Sequence, residues 1–397
     1  MNTFLSKINK ICPKFNWILF NSYPDISGNS LALYKYIVRN RKDIVEKYHL
    51  IWTVGEMTSE QAAEILKAKT DIEKKHHIVG KKSLVGIVLF FFARFVVSTH
   101  GYFPDIRTSE KQIHINLWHG MPFKRIGRML ENVHTNGKSD EADMTIATSE
   151  VFQKIMAQSF GLSTQKVLVT GQPCNDVLNL PNASLRTMGI SKENYNKIVI
   201  WMPTYRKSVI GDVRTDGNSN SFGVKSVLDN HFVELNRCLK SNRLLLLIKP
   251  HPMDELCRMK LPQSDNIRIF FNADLALHQI ELYELLGQCD VLLTDYSSVF
   301  IDFMVTNKPI AFICNDLIEY EDSRGFCFDN PRKYMPGEFI SNYMELEQYF
   351  NAIDEKRERW GKKYTMVKRE LNPYSDSLAS ERVCNALFGK TKQKKYE

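Results

Sequence analysis

Residues 290–309 read DVLLTDYSSVFIDFMVTNKP, and the fold can be read outward from them. The apolar run 291–294 (VLLT) has strand length. The polar stretch Asp295, Tyr296, Ser297, Ser298 then breaks it, an apolar helical segment follows, and a second apolar run, 309–313 (PIAFI), returns. Strand, turn, helix and strand within so few residues make a parallel βαβ unit. Ser297 or Ser298 is placed to cap the helix, where unpaired backbone amides and the helix dipole favour an anion such as phosphate. Thr294 and Asp295 end the strand and Asp302 lies one turn into the helix, so all five are candidate binding residues. A plain capping role for the serines is compatible with this reading.

The same alternation repeats along the chain. Candidate strands are 16–22 (NWILFNS), 48–54 (YHLIWTV), 95–99 (FVVST), 113–118 (IHINLW), 144–148 (MTIAT) and 167–170, then 198–202 (IVIWM), 243–249 (RLLLLIK) and 267–271 (IRIFF). Strands separated by amphipathic stretches imply α/β architecture, with parallel sheets covered by helices on both faces. The polar segment 180–196 divides two series, giving Rossmann-like domains at 1–185 and 186–397, with the C-terminal helix free to pack back on the N-terminal domain. Ligands of such sheets bind beyond the carboxyl ends of the strands, so the interdomain cleft is the expected active site. Residues 207–230, which contain GDVRTDGNSNSFG, are too poor in apolar side chains for a packed element and read as a loop.

Composition narrows the function. The 397 residues are 43% hydrophobic and 25% charged, which excludes a disordered or fibrous chain. A net charge of +8 suits phosphate-bearing ligands, anionic membrane or nucleic acid. No zinc-finger spacing or RNA-binding aromatic strand is present, so a nucleic-acid partner is not expected. The eight cysteines are scattered without a C-x-x-C pair, as buried thiols of a reducing cytosol are. Lys7, Lys10 and Lys14 interrupt any signal-peptide core, and 84–93 (LVGIVLFFFA) is shorter than the ~20 residues of a membrane span. That segment is either a buried or an interfacial helix. Phe4, Ile8 and Ile11 share one face of an N-terminal helix beside these lysines, which serves core packing or an anionic leaflet equally well. G-x-G-x-x-G, Walker A, G-x-S-x-G, H-E-x-x-H and D-x-D are all absent, so neither a redox cofactor nor a protein-held metal is expected, although Asp295 and Asp302 could recruit magnesium.

Three further segments carry chemistry at strand ends. In 116–127 (NLWHGMPFKRIG), His119 stands at the end of a strand with Gly120 permitting a tight turn, and a histidine there can serve as general base. Lys124, Arg125 and Arg128 follow, suiting an anionic substrate; a structural histidine with solvated neighbours fits the same letters. In 247–252 (LIKPHP), two prolines stiffen the backbone around His251 beside Lys249, a pair able to donate to phosphoryl oxygens. In 201–207 (WMPTYRK), Thr204 and Arg206 can reach a phosphate.

Together these segments resemble the CDP-glycerol glycerophosphotransferase family, the teichoic-acid primases and polymerases of GT-B fold. The likeness runs from Ser27-Gly28-Asn29 and LALYKY through LWHGMPFKRIG, TSE at 148–150, GQPCNDVL, MPTYR, KPHP, TDYSSVFIDF, KPIAFI, EYEDSRGF and MPG at 335–337. It implies that His119 is the base that activates the acceptor hydroxyl, and that His251, Ser297 and Ser298 hold the diphosphate of CDP-glycerol. It also implies a cytoplasmic, peripheral enzyme on the inner membrane face, acting on acceptors linked to polyprenyl diphosphate. Cys174 departs from the family, whose G-x-P segment usually carries Arg. The length favours a primase or single-addition enzyme, or a compact capsule or teichoic-acid transferase, over a polymerase. CDP-ribitol remains an alternative donor, and a GT-B nucleotide-sugar glycosyltransferase or a glycan-binding homologue without activity remains an alternative outside the family.

Overall fold

Strands whose interior is Ile, Val, Leu and Phe without a charge need cover on both faces, and a parallel sheet between helix layers supplies it. The computed structural model describes residues 2–70, 77–103, 106, 108–130, 142–204, 222–250, 262–353 and 361–390. It divides into two compact units, the first Met1–Met121, Ile126–Asp176 and Tyr374–Glu397, the second Pro122–Arg125 and Val177–Pro373. The division after Asp176 stands nine residues before the boundary read from the polar segment.

The first unit holds a seven-stranded sheet of β1 (Phe15–Phe20), β2 (His49–Val54), β3 (His77–Gly80), β4 (Ala93–Ser98), β5 (Ile113–Asn116), β6 (Met144–Ala147) and β7 (Val167–Val169). All pairings are parallel, in the order β3-β2-β1-β4-β5-β6-β7. The second holds β8 (Lys197–Met202), β9 (Leu244–Ile248), β10 (Ile267–Ile269), β11 (Val291–Thr294), β12 (Ile310–Ile313) and β13 (Glu338–Ile340). Its order, β10-β9-β8-β11-β12-β13, is again wholly parallel. Both are doubly wound sheets whose strand order reverses once, between β1 and β4 and between β8 and β11, and the carboxyl ends flanking that reversal are where such folds bind ligands. This is the α/β, Rossmann-type architecture expected from the sequence.

Two strands escaped the sequence reading, β3 and β13. Both are short edge strands with at most one buried residue, so neither carries the apolar run that marks a central strand. The region read as one long loop also needs correction: 205–221 lies outside the described residues, but Val224–Asn230 is a helix that buries Val224, Val227 and Leu228. Three apolar residues at i, i+3 and i+4 suffice for one packed face.

The helix Ala379–Phe388 completes the first unit. Val383 and Cys384 have no exposed surface and sit in one core with Ile18, Phe20, Trp52 and Phe95. The buried Arg41 guanidinium donates to Asn385 Oδ1 at 3.2 Å and the Gly389 carbonyl at 3.0 Å, while both oxygens of Asp176 accept the Ala379 and Ser380 amides at the start of that helix. Pro122–Arg125 belongs to the second unit, where Phe123 packs its ring 5.0 Å from Phe300 and 5.4 Å from both Phe326 and Phe328. The helix Leu84–Phe92 buries Phe90 and Phe91 and exposes Leu84, Val85 and Val88. Among the described residues no helix is long and apolar enough to cross a membrane. Cys257 lies outside the described residues; of the other seven thiols, all free, Cys12 and Cys327 are half-buried and five are buried.

Val383→Ala removes two methyl groups from a closed site and should cost about 1–3 kcal/mol, transfer and cavity terms together. Urea unfolding monitored at Trp52, which shares that core, reads the loss.

Candidate active site

In the first unit the loop after β5 is built to present His119. Trp118 adopts φ +52°, a conformation bulky residues avoid, and Gly120 follows at φ +134°, open to glycine alone. The strain is held by Asn29, only 1% exposed, whose Nδ2 donates to the carbonyls of Leu117 (3.0 Å) and Trp118 (2.9 Å) and to Gln172 Oε1 (3.2 Å). Its Oδ1 accepts the Cys174 amide at 2.9 Å. Thus Asn29 from the S-G-N segment, Trp118 from W-H-G and Gln172 and Cys174 from G-Q-P-C share one hydrogen-bonded node. Cys174 contributes its backbone, which any residue supplies.

His119 itself is exposed, with Nδ1 3.1 Å from the Thr99 carbonyl oxygen at the end of β4. A carbonyl only accepts, so Nδ1 carries the proton and the neutral ring leaves its lone pair on Nε2. Among the described residues Nε2 has no hydrogen-bond partner. Desolvation by surrounding protein lowers the pKa of His119 from 6.5, the Thr99 carbonyl acting in the opposite sense. A neutral imidazole with a free lone pair is the form a general base requires.

Sequence reasoning missed His100 and Lys81. His100 stacks on His119 with ring centroids 4.1 Å apart and planes within 4°. Lys81 Nζ lies 3.3 Å from both Asn21 Oδ1 and the Gly101 carbonyl. The signal for His100 was present, since 99–101 (THG) repeats the strand-end His-Gly of 118–120 (WHG). Lys81 follows an edge strand that left no such signal.

The second unit gathers most of the remaining candidates at the carboxyl ends of its three central strands. Thr204, after β8, donates its amide to both carboxylate oxygens of Asp295, after β11, at 3.1 and 3.0 Å. The Thr204 hydroxyl is buried without a hydrogen-bond partner among the described residues. Lys249, after β9, is 9% exposed and has a pKa lowered by desolvation. Among the described residues its ammonium forms no hydrogen bond. Ser298 is the N-cap of Val299–Phe303, but neither it nor Ser297 spends its hydroxyl on a cap, so both half-exposed hydroxyls stand available.

Two candidates are turned inward. Thr294 is fully buried and donates Oγ1 to the Met202 carbonyl at 2.7 Å; Asp302 is fully buried and accepts the Tyr283 hydroxyl at 2.7 Å. Lys124 lies in the second unit, in an antiparallel bridge with Phe326 and with Nζ 5.5 Å from the Tyr320 ring centroid. The basic run of W-H-G is therefore divided, Arg125 donating to the Phe326 carbonyl in the second unit and Arg128 packing over Gly161 in the first. Arg206 and His251 lie outside the described residues. Within them, no group of three or more His, Cys, Asp or Glu side chains is gathered to hold a metal ion.

Residues 4–389 match the sequence profile of CDP-glycerol:poly(glycerophosphate) glycerophosphotransferases. The chain is 26% identical to a teichoic acid glycerol-phosphate transferase of Staphylococcus aureus, over 95% of this chain and 94% of that one. It is 24% identical to a teichoic acid ribitol-phosphate polymerase of the same organism, over 95% of this chain and 63% of that one. The solved structure of the wall teichoic acid polymerase TagF superposes with a TM-score of 0.74 at 18% identity, over 97% of this chain and 92% of that one, and so shares the fold.

Asn29→Ala strands the buried Leu117 carbonyl, the part-buried Trp118 carbonyl and the Cys174 amide, and should destabilise the protein by about 1–3 kcal/mol. Denaturant unfolding of this variant measures the loss.

Proposed function

Because the chain belongs to the CDP-glycerol:poly(glycerophosphate) glycerophosphotransferase family, we propose that it transfers glycerol phosphate from CDP-glycerol to an acceptor hydroxyl and releases CMP, in teichoic acid or capsule synthesis. The observation that carries this reading is the bond from His119 Nδ1 to the Thr99 carbonyl, which leaves Nε2 as a lone-pair base. Nε2 takes the proton of the acceptor hydroxyl. The oxygen attacks the phosphorus that bears glycerol, the bond to the CMP oxygen breaks in line, and CMP departs with that electron pair.

Acceptor activation is assigned to the first unit and donor binding to the second. The Lys249 ammonium and the hydroxyls of Thr204, Ser297 and Ser298 supply donors to the diphosphate, with His251 and Arg206 in the same role. Asp295 fixes the Thr204 amide, and Thr294 and Asp302 brace the turn from within, so these three position the site. CDP-ribitol is the second donor to be tested, because a ribitol-phosphate polymerase is among the relatives.

The acceptor is a hydroxyl of a glycan or growing poly(alditol phosphate) linked to polyprenyl diphosphate, reached by peripheral attachment to the inner face of the cell membrane. Supporting this are apolar side chains left in water on two helices that pack together, Asn2–Ile11 and Leu84–Phe92: Phe4 is 65% exposed, Ile11 82% and Leu84 83%. Lys7, Lys10 and Lys82 are exposed on the same elements and their flank, each worth ~1 kcal/mol near an anionic surface.

Incubation with CDP-glycerol, CDP-ribitol and UDP-sugars should release CMP and not UDP. His119→Ala should lower turnover by roughly 100- to 10,000-fold with donor affinity retained. Since the neutral form is active and its pKa is lowered, activity should rise with pH along a limb lying below 6.5. Co-flotation with anionic liposomes at low salt should be lost in Phe4→Glu/Leu84→Glu; failure of the unaltered protein to float removes the membrane assignment.

A further inference from the structure

The base proposed above does not stand alone, and its companion is the least explained ionisable group in the first unit. His100 lies at the carboxyl end of β4, His119 in the loop after the neighbouring β5, and their rings are stacked, parallel within 4° and 4.1 Å between centroids. One residue grips both. The Thr99 carbonyl accepts from His119 Nδ1, and the Thr99 hydroxyl lies 3.1 Å from His100 Nδ1. That hydroxyl also accepts the Tyr23 amide at 3.2 Å, which fixes the position of the oxygen beside His100 Nδ1. Trp118 also packs against His119, at 4.1 Å between centroids and 33° between planes, lies 6.2 Å from His100, and is backed by Phe160 at 4.9 Å.

We infer that His100 is a positioning residue for the transfer reaction: its ring is the floor on which the His119 imidazole is held flat, with Nε2 directed away from Thr99, and the pair accepts one proton, on His119. The inference rests on His119 being the base. Two parallel imidazoles at this separation cannot both carry charge without paying the full repulsion of like charges in contact. His100 is the one that stays neutral, its pKa lowered to about 3 by desolvation, by His119 and by Lys81. Among the described residues the charged group facing His100 is Lys81, from the end of β3; Tyr23 presents its ring edge at 5.4 Å and Tyr102 bonds away to Thr53. A neutral ring under His119 keeps water from that face of the imidazole, which holds the resting base neutral, and it takes no second proton when the acceptor proton arrives. Rotation of His119 about its Cβ–Cγ bond would break the Thr99 bond and the stack together. A base fixed in this way loses little orientational freedom when the acceptor binds.

The test separates this role from the base assignment by reading His119 directly. Imidazole NMR titration of the full-length protein gives the His119 pKa and tautomer without substrate. In His100→Ala the floor is replaced by water, so the His119 pKa should rise toward 6.5 and the Nδ1-H tautomer should lose its dominance. The acidic limb of kcat/KM should move up by the same amount, and kcat should fall by about tenfold with KM for CDP-glycerol unchanged. His100→Phe, which keeps a flat ring and cannot titrate, should restore the His119 pKa and tautomer. A folded His100→Ala protein, confirmed by its thermal melt, whose His119 pKa and tautomer match the unaltered protein overturns the inference. If the His119 pKa moves but the activity limb does not follow, His119 is not the base, and the reading of the reaction fails instead.

Discussion

The carboxamide of Asn29 is the constraint on which the loop face of the first unit depends. A strained Trp118 would relax, and His119 with it, unless the carbonyls on either side of the strain were held, and Asn29 holds both at 3.0 and 2.9 Å. Its other contacts, to Gln172 and Cys174, tie that strain to the loop after β7. Each bond contributes only about 1 kcal/mol net, but leaving the same buried groups unpaired costs more. The geometry is thus enforced by the expense of the alternative.

The second unit meets the same requirement with a charge. Asp295 binds the Thr204 amide through both oxygens, fixing the ends of β8 and β11 across the reversal of strand order. A carboxylate so engaged has part of its charge met by a backbone amide within the protein. The Lys249 ammonium and the Thr204 hydroxyl, both buried, are left facing the other requirement, a polar partner that the described protein does not supply.

The central strands were legible because parallel strands buried on both faces must be apolar throughout, as VLLT and LLLLI are. Edge strands β3 and β13 carry no such burden and left no mark. Candidate residues were legible where a polar group directly follows an apolar run, the rule that singled out His119, Thr204, Lys249 and Asp295. The same rule could not tell a group left without a protein partner from one that braces the turn, because Thr294, Asp295 and Asp302 obey it equally and only their hydrogen bonds to Met202, Thr204 and Tyr283 mark them as braces. Lys124 was placed with His119 since the two are five residues apart, whereas backbone pairing with Phe326, two hundred residues away in the chain, decides its surroundings. Long-range pairing of that kind has no local signature.

The helix Ala379–Phe388 has a consequence for synthesis on the ribosome. Residues as far as Asp176 supply every strand of the first sheet, yet Val383 and Cys384 are needed to close its core. About 200 residues separate Asp176 from Tyr374, and at ~5–20 residues per second they take about 10–40 s to make. Throughout that interval Tyr48 and Phe95, against which Phe388 later packs, lack their cover. The second unit, contiguous apart from four residues already made, acquires all of its chain sooner. The domain translated first is therefore the one completed last, and the nascent chain carries an open apolar seam that a chaperone has time to meet.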